Sequence, residues 1–499
     1  MLRLRSATVP RPYSKNTTMN PTLIFSIIAA YLLLIFGISY LTTRKLDSQS
    51  FYLGNRRAPW GIIAMGMLGT SISGVTFISV PGMVMNSGFQ YMQMVFGFLF
   101  GYIAVAYILL PVYYKMNLTS IYTYLERRFG THSYKTGASY FLFSRTLGSA
   151  LRLYIVAIVL QKILFDAWNI PFVATVSVMV LLIFLYTQKG GIKTVIWTDI
   201  IQTTVFLGAV VVVLFYVMNA LDLSFFGMFR SVADSDMSQI YVGDVSHPRF
   251  FWKQFFAGVF TVITMTGLDQ DQMQKNLACK SLKDAQKNML TYGAMFIPVN
   301  LIFLTLGVLL VKYAQQVGLD PHSLAGDELF STLATQINPV TGELFLGTFV
   351  SVLFVLGIIA AAYSSADSGL TALTTSFTVD ILNVKNEDPK LIIKRRLAHI
   401  GVCLIMVAVI VLLNFYGDDS VINVIYMVAG YTYGPLLGMF AFGLFTKHAL
   451  KDRFIPIVAI LSPILTYFLN TYVHDFGFAI LIVNGVLCFL GLWLIRLKP

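Results

Sequence analysis

Residues 357–380 read GIIAAAYSSADSGLTALTTSFTVD. Turned as a helix at about 100° per residue, the stretch gathers Ala361, Ser364, Ser365, Asp367, Ser368, Thr371 and Thr375 on one sector roughly 160° wide. Ile358, Phe377 and Val379 lie largely off that sector. The result is a polar stripe inside an apolar span. In hydrocarbon, unpartnered hydroxyls and a carboxylate are costly, so such a stripe faces a bundle interior or a water-filled path. A lone Ser or Thr bonds back to its own helix and lets a neighbour approach closely. Five hydroxyls and an acid on one face exceed what that packing role requires.

Composition extends the reading to the whole chain. Of 499 residues, 57% are hydrophobic and 12% charged, mean hydropathy is +0.74, and soluble domains carry about 25% charge. Apolar windows of about 20 residues recur from end to end, with no interval long and polar enough for a soluble domain. The sequence therefore predicts an all-α polytopic membrane protein of about 13 helices. Their centres fall near Ala30, Gly74, Gly101, Ala150, Met179, Val210, Thr264, Leu304, Ser364, Val407, Tyr433, Ile460 and Val486. Bases concentrate in alternate loops, for example Arg56, Arg57, Arg127, Arg128, Lys275, Lys280, Lys394, Arg395 and Arg396. The intervening loops hold Asp234, Asp236, Asp244, Asp327 and Glu328. The positive-inside rule then puts the N-terminus outside and the C-terminus in the cytoplasm of a plasma (inner) membrane. The net charge of +12 follows from that orientation, and no basic run is interleaved with aromatics as a nucleic-acid groove requires. Cys279, Cys403 and Cys488 have no ligand-like spacing. The basic first 18 residues lack a signal-peptide core, and we read them as a dispensable extension before a start at Met19, with 19–499 as one membrane domain.

Further polar features interrupt the spans. In MGMLGTSISGVTFISVPG, Gly69, Gly74, Pro81 and Gly82 break a span that carries Thr70, Ser71, Ser73 and Thr76. Carbonyls freed at such a break are hard oxygen ligands for an alkali cation, the alternative being a simple kink. FSRTLGSALRLY sets Arg145 and Arg152 about two turns apart on one face. Arg145 is expected to snorkel to the inner interface, whereas Arg152, deeper, suits an anionic group of a solute. In IWTDIIQT, Asp199 is an intramembrane carboxylate that needs a cation, a proton or a basic partner. The polar end GLDQDQMQK lines an inner mouth or is a cytoplasmic helix end, the second being expected for Asp271. Residues 313–343 suggest a short lid or re-entrant helix. Breaks near Gly74 and Gly267 occupy comparable places in two runs of five helices, about 60–221 and 251–445, as in an inverted-repeat transporter.

Four motifs, VIWTDIIQ, GTSISGVTF, DQDQMQK and AAAYSSADSG with its following TVDIL, resemble those of the sodium/solute symporters over roughly 52–445. That resemblance implies a five-plus-five inverted-repeat (LeuT-like) core with one extra helix before it and two after. It also implies alternating access driven by sodium, with one or two ions as the coupling species. Carried over by position, the family's cation site falls on the carbonyls of Gly69, Ile72 and Ala361 with the hydroxyls of Ser364 and Ser365. A second cation site would use Asp199, Ser364 and Ser368, with Asp367 where the sialic acid members have a serine. Ser73 and Thr76 match two solute-binding positions. The family's glutamine falls at Val95 and its arginine at about Gly148, one turn from Arg152.

The expected function is sodium-coupled import of a small organic solute, an organic anion such as sialic acid or a monocarboxylate being favoured over a neutral sugar or amino acid. A channel requires a continuous pore with rings of like charge, which the clustered polar groups do not supply. An enzyme is not indicated: His132, His247, His322, His399, His448 and His474 are scattered. The bilayer, sodium and the solute are the implied partners, with no nucleic acid and no obligate protein partner.

Overall fold

The computed structural model describes residues 21–43, 51–52, 56, 58–324, 326–384, 390–415 and 421–497. The basic N-terminal 18 residues and the proposed start at Met19 lie outside the described residues. We number the main helices in chain order: α1 (Pro21–Thr42), α2 (Trp60–Ser71), α3 (Gly74–Ser87), α4 (Tyr91–Ala104), α5 (Thr131–Leu160), α6 (Phe172–Thr187), α7 (Ile192–Ala220) and α8 (Phe251–Val262). There follow α9 (Gln270–Leu277), α10 (Leu282–Gln316), α11 (Gly326–Thr335), α12 (Gly347–Ser376), α13 (Leu391–Leu413), α14 (Val421–Phe445), α15 (Ile455–Tyr472) and α16 (Ile480–Leu494). Among the described residues, β structure is confined to isolated bridges.

Ten helical segments are long and apolar enough to cross a membrane by length and composition. The stretch expected to span near Gly101 continues that of α3, while α2, α6 and α8 are shorter. The thirteen expected centres thus map onto a mixture of whole spans and broken or shortened ones, because Gly and polar backbone breaks divide what hydropathy alone reads as one length.

The stripe-bearing segment is the central post. Every residue from Gly357 to Ser376 in α12 is buried. In the most apolar window of this segment 78% of residues are inside the protein, against 22% for α1 at the periphery. The hydroxylated face of α12 is not lipid-compatible and must be covered by neighbours, and here its apolar face is covered as well. These neighbours are α1, α2, α3, α5, α6, α7, α9, α11 and α13. The last three helices pack on one another, and α14 and α15 also pack on α5.

Pro321–Ser323 form a short 3₁₀ turn and Gly326–Thr335 form α11, which lies across α3 rather than hanging free. The approach is close: a Cβ added at Gly82 would stand 1.8 Å from the Gly326 carbonyl oxygen. Gly82→Ala therefore forces the backbones apart, and overpacking of this kind costs about 1–3 kcal/mol. A lower unfolding midpoint is expected for Gly82→Ala in detergent, whereas Gly148→Ala, with nothing within 4 Å of its added Cβ, should leave the midpoint unchanged.

Candidate ion and solute site

The break between α2 and α3 is real backbone geometry. Ile72 leaves the helix at φ −86°, ψ 88°, and Ser73 is extended at φ −84°, ψ 176°. The helical series stops with the Ile72 amide on the Leu68 carbonyl, 2.9 Å, and resumes with Phe77 on Ser73, 3.1 Å. The carbonyls of Gly69, Thr70, Ser71 and Ile72 are thereby released from the i+4 bonds a continuous helix would give them. The hydroxyl of Ser365 on α12 donates to the Thr70 carbonyl at 2.8 Å. One expected half of the cation site, Ser365, thus meets the other half, the frayed end of α2, inside the protein. Ser364 and Ala361 are buried on the same helix. At Gly69 an added Cβ would stand 1.9 Å from Thr203 Oγ1, so only glycine lets α7 lie this close to the break.

Beside that junction, Ser364 Oγ donates to Asp199 Oδ1 at 2.6 Å. Asp199 has a basic partner that the sequence reading placed in a cytoplasmic loop: Lys275 of α9, whose ammonium is 2.6 Å from Asp199 Oδ2 and whose side chain is 1% exposed. The same ammonium donates to Thr70 Oγ1 in a short contact, and Thr70 Oγ1 is in turn 3.3 Å from Asp199 Oδ2 and 3.5 Å from Ser368 Oγ. Three of the four residues expected around a second cation, Asp199, Ser364 and Ser368, are therefore brought together, but around a lysine. The fourth, Asp367, has a different environment. Its Oδ2 accepts from the Tyr186 hydroxyl at 2.9 Å and from Thr198 Oγ1 at 3.4 Å, and its Oδ1 has no hydrogen-bond partner. A second positive charge placed ~3 Å from the Lys275 ammonium would be repelled by about 5 kcal/mol at an effective dielectric of ~20.

A cavity of about 90 Å³ adjoins the α2–α3 break. Ser73, Thr76 and Arg152, the three expected solute contacts, all line it, together with Ser71, Gln272 and Arg145. Its walls are aromatic: Tyr91, Phe98, Tyr102, Tyr292, Phe296 and Tyr426. Ser71 and Tyr292 share a hydroxyl–hydroxyl bond of 2.5 Å. Val95, where the family's glutamine falls, does not line the cavity, whereas Gln272 does, with its Oε1 unpartnered. Among the described residues Arg152 has neither a hydrogen-bond partner nor an ion pair.

Two expectations about charge are corrected. Arg145 does not snorkel to the interface: it is 4% exposed, pairs closely with Asp271 and stands 3.8 Å from Asp269. Asp271 is likewise buried rather than at a solvated helix end. The cause is the break after α8, where a π-turn over Ile263–Gly267 is followed by Leu268 at φ −109°, ψ 12° and by Asp269, whose side chain caps α9 through the amides of Asp271 and Gln272. Tyrosines satisfy the carbonyls freed there, Tyr113 on Gly267 at 2.9 Å and Tyr122 on Leu268 at 3.0 Å, and the Tyr433 hydroxyl donates to Asp269. The chain turns and packs α9 against α2 and α12 instead of running straight out.

Two broken helices, buried ion pairs at the breaks and a cavity between them define a secondary transporter of the five-plus-five inverted-repeat class. Residues 51–452 match the profile of the Sodium:solute symporter family, and the chain belongs to that family. It is 25% identical over 485 residues to the sodium/sialic acid symporter SiaT of Proteus mirabilis (strain HI4320), covering 92% of this chain and 91% of that protein. It is 28% identical over 466 residues to the sodium-dependent multivitamin transporter of Oryctolagus cuniculus, covering 87% and 68%. A solved structure of a Na+-coupled sialic acid symporter, in a substrate-bound outward-open state, shares the fold with a TM-score of 0.79 at 21% identity, covering 95% of this chain and 97% of that one. Sodium is the coupling ion of this symporter.

The Arg145 cluster offers a direct check on the corrected placement. Removing one partner of a buried pair costs about 3–5 kcal/mol because the other charge is left uncompensated. Arg145→Met should lower the unfolding midpoint of the detergent-purified protein markedly, and adding Asp271→Asn should recover part of the loss. A snorkelling arginine would show neither effect.

Proposed function

We propose that this symporter imports a small monocarboxylate, with Arg152 receiving the carboxylate, Ser73, Thr76 and Gln272 orienting it, and the aromatic walls taking its apolar body. The observation that carries the reading is Arg152: a guanidinium with no hydrogen-bond or ion-pair partner among the described residues, facing a cavity lined mainly by aromatic, apolar and hydroxyl side chains beside Gln272 and the acid-paired Arg145. A guanidinium without a direct partner at this depth is costly, and a bound carboxylate lowers the cost through charge-assisted, bidentate hydrogen bonds. The walls narrow the class: aromatic side chains suit an acid with an apolar body better than a polyhydroxylated sugar acid. The sialic acid relatives also carry an anionic solute, in keeping with the sign of the charge.

The coupling sodium is assigned to the carbonyls of Gly69, Ile72 and Ala361 and the hydroxyls of Ser364 and Ser365, supported by the Ser365–Thr70 contact at the break. Residues 60–221 and 251–445 are taken as the two inverted repeats. The loop charges favour a plasma-membrane orientation with the N-terminus outside and the C-terminus in the cytoplasm.

Uptake into proteoliposomes, screened with radiolabelled short-chain and aromatic monocarboxylates against neutral sugars and amino acids, tests the assignment. Sodium-dependent uptake of a monocarboxylate is expected. Arg152→Gln should weaken it by roughly 10- to 100-fold, the equivalent of about 1.5–3 kcal/mol for a bond to a charged group. Ser365→Ala should raise the half-saturating sodium concentration about fivefold, from the ~1 kcal/mol of one neutral hydrogen-bonding group. Full uptake of the acid by Arg152→Gln, or sodium-dependent uptake of neutral solutes alone, would refute the assignment. Unitary current steps in planar bilayers would make the protein a channel instead.

A further inference from the structure

We infer that Lys275 is a tethered cation that fills the second ion position with its own ammonium, so that the protein binds one sodium ion per chain. The inference rests on the sodium assignment at the α2–α3 break and adds the count. The oxygen atoms around the ammonium are those an alkali ion would use. Asp199 Oδ2 lies at 2.6 Å and Thr70 Oγ1 accepts directly, while Ser368 and Ser364 hydroxyls sit one bond further out, on Thr70 and Asp199. Hard oxygens of this kind do not distinguish an ammonium from an alkali cation, but they have room for one charge.

The charge count agrees. Asp199 is the one carboxylate in hydrogen-bonding contact with the ammonium among the described residues. Asp367 has Oδ2 on Tyr186 and Thr198 and Oδ1 without a hydrogen-bond partner, and neither oxygen contacts the ammonium among the described residues. Lys275 and Asp199 already form a neutral pair, so an added ion would find no second carboxylate in contact with that position.

Nor is Lys275 free to withdraw. The helix that carries it has eight residues and is fixed along its length. Asp269 caps its start and is held by Tyr433 and Arg145. Gln270 bonds the Ile121 amide and the Thr119 carbonyl, and Gln274 bonds the Tyr52 carbonyl and the Thr375 hydroxyl. Withdrawing the ammonium would break this frame and bury Asp199 alone.

Equilibrium binding of radiolabelled sodium to the purified full chain, without solute, counts the ions directly. One ion per wild-type chain is expected. Lys275→Gln leaves the carboxylate without its cation and should bind two, with a sigmoidal isotherm, while the double variant Asp199→Asn with Lys275→Gln, which keeps the site neutral, should return to one. Two ions on the wild type would overturn the inference even if both variants failed to fold, since the sodium would then have displaced the lysine. One ion on a folded Lys275→Gln would overturn it as well, because the lysine would not be what excludes the second. No sodium on the wild type would sink the inference and also the sodium assignment at the break, which distinguishes the two failures.

Discussion

Backbone carbonyls cannot be left bare in the middle of a bilayer, and this structure is arranged around four that are. Where α2 stops at Ser71 and α3 begins at Gly74, the oxygens of residues 69–72 lose their helical partners, and hydrocarbon offers no replacement. Two things follow. A helix with hydroxyls must stand against the break, which is the place of α12, buried throughout its second half. That helix must also come close, which explains why Ser365 is within 2.8 Å of the Thr70 carbonyl. Oxygen atoms so gathered are poor neighbours for lipid and good ones for a small cation. Structure and ion site are thus one solution to one constraint.

Charge is distributed by the same logic. Of the charges held at depth, two clusters are closed ion pairs. Asp199 faces Lys275, and Arg145 faces Asp271 and Asp269, with Tyr433 adding a hydroxyl to Asp269. Breaking either would strand a buried charge, so both act as fixed joints that tie α9 to α5 and α7. Arg152 differs from them in having no acid of its own while facing the cavity. A solute that brings the missing carboxylate therefore changes the electrostatics of the interior on arrival, which is the differential interaction that a ligand-driven transition requires. A cation held at the neighbouring break, as proposed, would add to that effect through proximity of charge and through the shared α2–α3 backbone, because Ser71 and Ser73 border the cavity while Gly69 and Ile72 lie at the break.

Much of this was legible before any coordinates. The period of the hydroxyls in 357–376 announced a buried face, and the Gly and Pro residues around Gly74 announced a break, because both signals are local and have strong physical causes. Ser73, Thr76 and Arg152 line one cavity because each lies near a feature already fixed in depth. The errors cluster in DQDQMQK. A run so rich in charge at the end of an apolar span reads as solvated, and hydropathy contains no term for a chain that turns at Leu268 and folds its polar end back inside. Lys275 and Asp271 were consequently assigned to water when their partners were Asp199 on α7 and Arg145 on α5. The unpaired carboxylate at Asp199 was the available signal: a buried acid predicts a base somewhere, and the nearest lysine outside a straight-helix reading was the one to examine. Asp367 illustrates the opposite limit, since its place on the hydroxyl stripe did not reveal that it turns toward Tyr186.

The central claim is that a sodium ion is held where the broken end of α2 meets the hydroxyl face of α12. Cryo-electron microscopy of the protein in sodium chloride and, separately, in choline chloride tests it directly. The account predicts sodium-dependent density between the carbonyls of Gly69, Ile72 and Ala361 and the hydroxyls of Ser364 and Ser365, with Lys275 still against Asp199. Identical maps in the two salts with α2 and α12 apart, or ion density elsewhere in the bundle, would contradict it.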